Sequence, residues 1–459
     1  MVKFYHQVAE KSVEVGRLSL STLFLAFLLL FIHNCFWRMK YVGEEKHMKN
    51  YTPELTGSSR KKKVFISAIL TLTFLLALHV YLSTNEPSLP LSPSVAKDAG
   101  EEKKVQQQQQ CDLYSGKWIP YPRKPYYTHD TCPWISPQHD CIKFGRPDTD
   151  FIHWKWKPDR CDLPRFNAAQ FLELVRGKSM AFVGDSVAKN QMSSLVCLLG
   201  KVTYPVDVSD KYSVNTDYFK RWYYADYKFM AAALWSPFLV RAEDGGPNNI
   251  KKLYLDEADK GWADEIAKFD YVIISAGQWF FRPFMYYQQN QLVGCYACQQ
   301  SNVTEMSMFH GYKMAFRTSF EAIASLDKFK GTTFLRTFSP AHFENGLWNT
   351  GGSCGRTKPY ESGEVSLEGE SLELYLTQIE EFKKAEKNLM KDRGLRFRLK
   401  DTTSAMVMRP DGHPNRYGFS PHGMNKSIAD CVHWCLPGPI DTWNEFLLQM
   451  LKTNNLADS

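Results

Sequence analysis

Three stretches of this 459-residue chain read as strands that are apolar nearly throughout: SMAFVG at 179–184, FDYVIISAG at 269–277 and GTTFLRTFS at 331–339. A strand wetted on one face alternates apolar and polar residues; a continuous apolar run belongs to a strand covered on both faces. Each run is followed by residues with helical spacing, VAKNQMSSLVCLL starting just after Ser186, then 311–328 and 367–393. A further helical pattern, FNAAQFLELVRG, precedes the first strand, with Gly177 placed as its C-cap. Buried strands alternating with helices predict an α/β fold, a mostly parallel sheet with helices on both faces. In such sheets the working groups collect at the carboxyl ends of the strands. Ser186, Gly277 and the turn FSPAHFE all fall there.

The rest of the chain divides by composition. Residues 64–82, VFISAILTLTFLLALHVYL, are uncharged and about one bilayer long, and Arg60-Lys61-Lys62-Lys63 stand directly before them. The positive-inside rule then predicts a signal-anchor with a cytosolic start and a lumenal remainder. Residues 1–63 contain a shorter apolar run at 18–32, a candidate second span or interfacial segment. Residues 83–110 are rich in Pro, Ser and charge and end in a glutamine tract, a composition that buries too little to fold and reads as a disordered stem. The domain expected to carry the chemistry runs from 111 to 459. Its first part, from Cys111 to Arg165, reads as loop.

Cys35 lies near the first apolar run, and ten more cysteines stand at 111, 132, 141, 161, 197, 295, 298, 354, 431 and 435. An even set in a lumenal domain implies a disulfide framework. Zinc competes, because Cys431, His433 and Cys435 stand together, but the paired ligand clusters of structural zinc sites are missing apart from the Cys295–Cys298 spacing, and no metal is expected. Sequons at Asn302 and Asn425 suit a lumenal chain. The net charge of +7 is mild and its cations are scattered or near the apolar runs, so no nucleic-acid partner is expected.

Gly184-Asp185-Ser186 at a strand-to-helix joint can be a mere turn and helix cap. It can also present a serine beside helix N-terminal amides that stabilise an oxyanion. Such a serine needs a base. In IADCVHWC, Asp430 and His433 are three apart, so one turn brings a carboxylate against the imidazole and fixes its tautomer. Cysteines at 431 and 435 bracket the histidine and would restrain it. Asp411 and His413 in RPDGHP form a rival pair whose i,i+2 spacing suits contact less well; that segment reads as a structural or substrate-side loop.

The GDS triplet with Asn190-Gln191, and the run Asp430-Cys431-Val432-His433-Trp434-Cys435-Leu436-Pro437-Gly438, resemble the paired GDS and DxxH motifs of the plant trichome birefringence-like proteins. The likeness extends over 111–459, through FGRPDTDFIHWKWKPDRCDLPRF, WSPFLV, SAGQWFFRP, RPDGHP and PGPIDTWNE. It implies a disulfide-stapled, SGNH-hydrolase-like α/β domain and a polysaccharide O-acetyltransferase anchored in the Golgi membrane. By the same resemblance Ser186 is the nucleophile, His433 the base and Asp430 its orienter. The implied pairings are Cys111–Cys161, Cys132–Cys197, Cys141–Cys435 and Cys354–Cys431, leaving Cys295–Cys298. Gly184, Asp185, Gly277, Gln278, Trp279 and Arg282 are candidate oxyanion or substrate contacts. The Gly-x-Asn-Asp of SGNH enzymes is missing at Gly277-Gln278, so the second oxyanion donor is open.

Aromatic-rich stretches HWKWKP, YFKRWYYADYKF and QWFFRPFMYY offer rings for sugar stacking, though most such rings are core. SAGQWFFRPFMYY, GCYAC and WSPFLV are most similar to the xyloglucan-acetylating branch, implying transfer to side-chain galactose, with a mannan or glucomannan acceptor as the alternative. A polysaccharide acetylesterase using the same residues and a non-catalytic wall-polysaccharide binder are the rival classes. No bound cofactor is expected. No Gly-rich phosphate loop is present, and the acetyl donor implied by the resemblance is acetyl-CoA or a relay from another membrane protein.

Overall fold

In a computed structural model of the chain, the described residues are 111–245, 250–389, 395–418 and 428–457. The expected anchor, the first apolar run, the stem and the sequon at Asn425 lie outside them. Among the described residues no helix is long and apolar enough to cross a membrane.

The first half of the order is β1 (Gly116–Pro120), β2 (Trp154–Pro158), α1 (Ala168–Leu174), β3 (Ser179–Gly184), α2 (Ser186–Leu199), β4 (Val206–Asp207), β5 (Arg221–Tyr224), β6 (Phe229–Trp235), β7 (Val240–Asp244) and β8 (Lys251–Ala258). It continues with α3 (Lys260–Ala263), β9 (Tyr271–Ser275), β10 (Phe284–Gln288), β11 (Gln291–Tyr296), α4 (Met308–Ser325), β12 (Thr332–Arg336), α5 (Gly369–Leu389), β13 (Arg396–Lys400), α6 (Thr403–Val407) and α7 (Asp441–Ala457). The main sheet has the order β13-β12-β9-β3-β6-β5-β4. Its five strands from β13 to β6 run parallel, and β5 and β4 join antiparallel at one edge.

Alternate residues of the parallel strands enter two separate cores, as double-sided burial requires. Met180, Phe182, Ala231, Ala233, Ile273 and Phe334 pack with α2 and α7. Ala181, Val183, Ala232, Val272, Ile274 and Leu335 pack on the other face with α4 and α5. That second core also receives residues of a smaller mixed sheet, ordered β11-β10-β8-β7. The stretch from Cys111 to Arg165 is not all loop: β1 and β2 pair antiparallel across 33 intervening residues, Gly116 opposite Pro158 and Pro120 opposite Trp154. Trp118 and Trp156 are buried there, edge-to-face at 5.6 Å.

Five disulfides close the domain: Cys111–Cys161, Cys132–Cys197, Cys141–Cys435, Cys295–Cys298 and Cys354–Cys431. These are the pairs the resemblance implies. Cys431 and Cys435 are therefore cystine sulfurs, unavailable as zinc thiolates.

Candidate active site

At the end of β3 the chain passes so near β9 that a Cβ on Gly184 would lie 1.6 Å from the Ser275 carbonyl oxygen. Gly184 also has φ +146°, a conformation L side chains avoid. Only glycine meets both demands, and the sharp turn it permits delivers the chain directly into α2. Asp185 caps that helix, its carboxylate accepting from the Val187 N–H at 3.0 Å. Ser186 is thus the first residue of α2, and its side chain is free of the capping duty.

His433 arrives from 247 residues away, and its Nε2 lies 2.7 Å from Ser186 Oγ. Its Nδ1 lies 2.8 Å from Asp430 Oδ2. Asp430 Oδ1 accepts from the backbone N–H groups of Val432 and His433, at 3.1 and 3.0 Å. A carboxylate can only accept, so Nδ1 carries the imidazole proton and Nε2 is left as the acceptor facing the serine hydroxyl. Burial alone would raise the Asp430 carboxyl; the His433 charge and hydrogen bond outweigh it and hold the group well below the usual carboxylate range. On His433 burial pulls the pKa down, but the charge of Asp430, its hydrogen bond and Asp185 prevail, and the ring titrates above its ordinary value.

The loop carrying His433 is fixed from several sides. Asn190 of α2 accepts from the Trp434 N–H at 2.8 Å and donates to its carbonyl at 3.2 Å. His413 Nδ1 donates to the His433 carbonyl at 2.6 Å, its ring stacks on Trp434 at 4.1 Å, and His342 stands 2.7 Å from its other nitrogen. Asp411 is fully buried in an ion pair with Arg409, and Arg146 binds the carbonyls of Asp411 and His413. RPDGHP is therefore a buttress for the His433 backbone, while its own carboxylate and imidazole face other partners.

His139 also reaches the site, its ring 5.2 Å from that of His433 and its Nδ1 3.2 Å from the Asn190 amide. Burial, with the nearby His433, pushes its pKa down to about 3, so it stands neutral beside the His433 ring. His139 and Arg146 were not legible as site residues, and His342 only as part of the turn FSPAHFE at a strand end. A signal for the first lay in the Cys141–Cys435 pairing, which brings 139 and 433 together once it is known.

The remaining candidates divide. The Asp185 carboxylate has no hydrogen to give an oxyanion and serves as the cap of α2. The Gln278 side-chain amide donates to the Ser339 carbonyl at 2.7 Å, tying the turn after β9 to the end of β12. A Cβ on Gly277 would meet the Phe338 ring at 2.5 Å, a plain demand for space. Trp279 and Arg282 lie together in the turn after β9, the guanidinium 4.2 Å from the ring centre. Asn302 is exposed.

An expected pH profile follows from the His433 pKa. A general base works only when neutral, so His433 in that role predicts acylation that falls as pH drops through a value above 6.5. Asp430→Asn removes the charge that raises the ring and can force the wrong tautomer. The acid limb should move to lower pH and the plateau should fall by roughly 10³–10⁴. Burst release from an activated acetyl ester between about pH 5 and 9 measures both; an unmoved limb would count against the coupling.

A nucleophile-type serine, an imidazole and a carboxylate at the carboxyl ends of a parallel sheet define a serine-nucleophile α/β protein of the SGNH-like kind. Residues 163–450 match the family described as GDSL/SGNH-like Acyl-Esterase family found in Pmr5 and Cas1p, and residues 109–162 match the PMR5 N terminal Domain. Protein trichome birefringence-like 19 of Arabidopsis thaliana is 53% identical over 349 residues, which cover 74% of this chain and 81% of the relative. Xyloglucan O-acetyltransferase 4 of Populus trichocarpa is 41% identical over 389 residues, 84% of this chain and 91% of the relative. Xyloglucan O-acetyltransferase 2 of Arabidopsis thaliana is 41% identical over 350 residues, 75% of this chain and 83% of the relative. The chain belongs to the trichome birefringence-like family of GDSL/SGNH-like proteins. The N-terminal match ends at 162, yet Cys132–Cys197 and Cys141–Cys435 bind that segment to the rest.

Proposed function

We propose that this chain moves an acetyl group, through an acetyl-Ser186 intermediate, onto a hydroxyl of a hemicellulose, with xyloglucan side-chain galactose as the acceptor. The carrying observation is the unbroken hydrogen-bonded line Asp430–His433–Ser186. The acceptor class is suggested by relatives named as xyloglucan O-acetyltransferases.

In the first half-reaction Ser186 Oγ gives its proton to His433 Nε2 and attacks the acetyl carbonyl of the donor. The developing oxyanion is met by the N-terminal end of α2, a helix of 14 residues whose dipole favours negative charge there. Collapse breaks the bond to the donor's leaving group, which takes the proton from the His433 imidazolium. In the second half-reaction a sugar hydroxyl passes its proton to His433 Nε2 and attacks the acetyl ester. Collapse frees Ser186, whose Oγ recovers that proton. Asp430 remains ionised throughout and steadies the imidazolium.

The five disulfides fit an oxidising compartment. With the basic-flanked apolar run at 64–82 they support a Golgi membrane anchor and a lumenal catalytic part. Acetyl-CoA is the donor proposed, delivered directly or through a membrane partner that relays the acetyl group. The test is mass spectrometry of purified protein given an acetyl donor with xyloglucan or mannan oligosaccharides. An acetylated xyloglucan product is expected. Acetate release with no sugar product would identify an esterase, and acetylated mannan alone would move the acceptor.

A further inference from the structure

The carboxyl ends of β9, β3 and β6 lie side by side, with Gly184 opposite Ser275 on one flank and opposite Trp235 on the other. Trp235 comes from β6 and Trp279 from the turn after β9. Their rings meet edge-to-face at 5.5 Å. Indoles contributed from both flanks therefore join across the end of β3, two residues before Ser186. The row continues outward to Tyr218, 5.1 Å from Trp235 and 44% exposed. Lys189, in the first turn of α2, ties this segment to the nucleophile's helix by donating to the Asp217 carbonyl at 2.7 Å. Other rings of the same aromatic stretches, among them Tyr224, Phe280 and Phe284, are fully buried in the cores. Tyr218, Trp235 and Trp279 keep exposed surface.

Arg282 is the member of the row that folding does not explain. Its guanidinium lies over Trp279, and its Nε is buried with no acceptor among the described residues. A buried N–H left unpaired costs free energy, and such groups ordinarily find a partner. Burial lowers its pKa and no carboxylate contributes. A guanidinium is a planar fork of donors whose complement is two neighbouring oxygens. The aromatic faces beside it suit C–H groups. A pyranose carries both, a C–H face and a rim of adjacent hydroxyl oxygens. A phosphate-bearing ligand would favour further cations at the fork, where this row supplies apolar rings.

We propose that Tyr218, Trp235, Trp279 and Arg282 form a subsite that seats an uncharged pyranose of the acceptor chain beside Ser186, rings against the sugar face and Arg282 on a vicinal pair of hydroxyls. The identification of that sugar as acceptor rests on the transferase reading above.

Binding is read from the tryptophan fluorescence of the purified full-length protein, titrated with a non-acetylated xyloglucan oligosaccharide and, separately, with pyrophosphate. Saturable sugar binding is expected in the wild type, weakened at least tenfold in both Arg282→Gln and Tyr218→Ala. Tyr218 is exposed enough that its truncation should leave the fold intact. No saturable sugar binding by the wild type would overturn the proposal. So would sugar affinity within twofold of wild type in both variants, or pyrophosphate binding that alone depends on Arg282. Because no acetyl moves in this assay, the two readings fail separately. Sugar bound through these residues without any transfer removes the transferase and leaves a glycan site; transfer with sugar affinity untouched in both variants does the reverse.

Discussion

Ser186→Ala is expected to stay folded and to lose acetyl transfer by on the order of 10⁴-fold or more. Two structural facts separate the chemical loss from a folding defect. The cap of α2 is made by the Asp185 carboxylate, so the Ser186 hydroxyl holds no helix end together. Ser186 is also partly exposed at a helical position, where alanine has the better intrinsic propensity. The melting temperature should therefore change little. The hydroxyl, by contrast, is the oxygen on which His433 Nε2 bears at 2.7 Å, and no methyl group can accept an acetyl. Intact-mass measurement after incubation with an acetyl donor should give an acetyl-sized increment on the wild type and none on the variant. An alanine variant that still becomes acetylated and still transfers would remove Ser186 from the chemistry.

Legibility followed the range of the interactions. β3 and the start of α2 could be read because their signals are local, an apolar run, a glycine and a change of period. β9 and β12 could be read for the same reason. β6 could not: Phe229–Trp235 is FMAAALW, whose three alanines carry no strand preference. Those alanines answer a tertiary demand, Ala231 and Ala233 lying in one core and Ala232 in the other. The β1–β2 ladder was hidden because neither strand means anything until its partner 34 or more residues away is known.

The site divides in the same way. Asp430 and His433 are three apart, so their contact is written into one turn. The clasp of Asn190 on Trp434 spans 244 residues and the contact of Arg146 with the Asp411 carbonyl 265. Such contacts leave no periodicity to detect. His413 illustrates the hazard: beside Asp411 it resembles a base with its carboxylate, yet Asp411 is neutralised by Arg409 and the imidazole holds the carbonyl of the real candidate.

The Cys141–Cys435 bridge turns that long-range positioning into a measurable quantity. Replacing both cysteines by serine opens a loop of 294 residues, partly short-circuited by the other bridges, and should cost roughly 5 kcal/mol of stability on a chain-entropy argument. Cys435 is two residues from His433, its N–H donates to the Gly412 carbonyl at 3.0 Å, and the next N–H, of Leu436, donates to the His139 carbonyl at 2.8 Å. Freed from Cys141, this segment can drift against Ser186, although Asn190, His413 and Cys354–Cys431 still restrain it. A displacement of about 1 Å is enough to cost roughly a hundredfold in rate. The folded variant should therefore acylate Ser186 some 10–100 times more slowly than wild type. The control is Cys111–Cys161, which closes a loop of 50 residues around the β1–β2 ladder. Its double serine variant should lose about 4 kcal/mol and keep a near-normal acylation rate. Calorimetry gives the two stabilities, and single-turnover acylation at a temperature where both variants are folded gives the two rates. If the Cys141–Cys435 variant acylates as fast as the control, the bridge stabilises the domain without positioning its base.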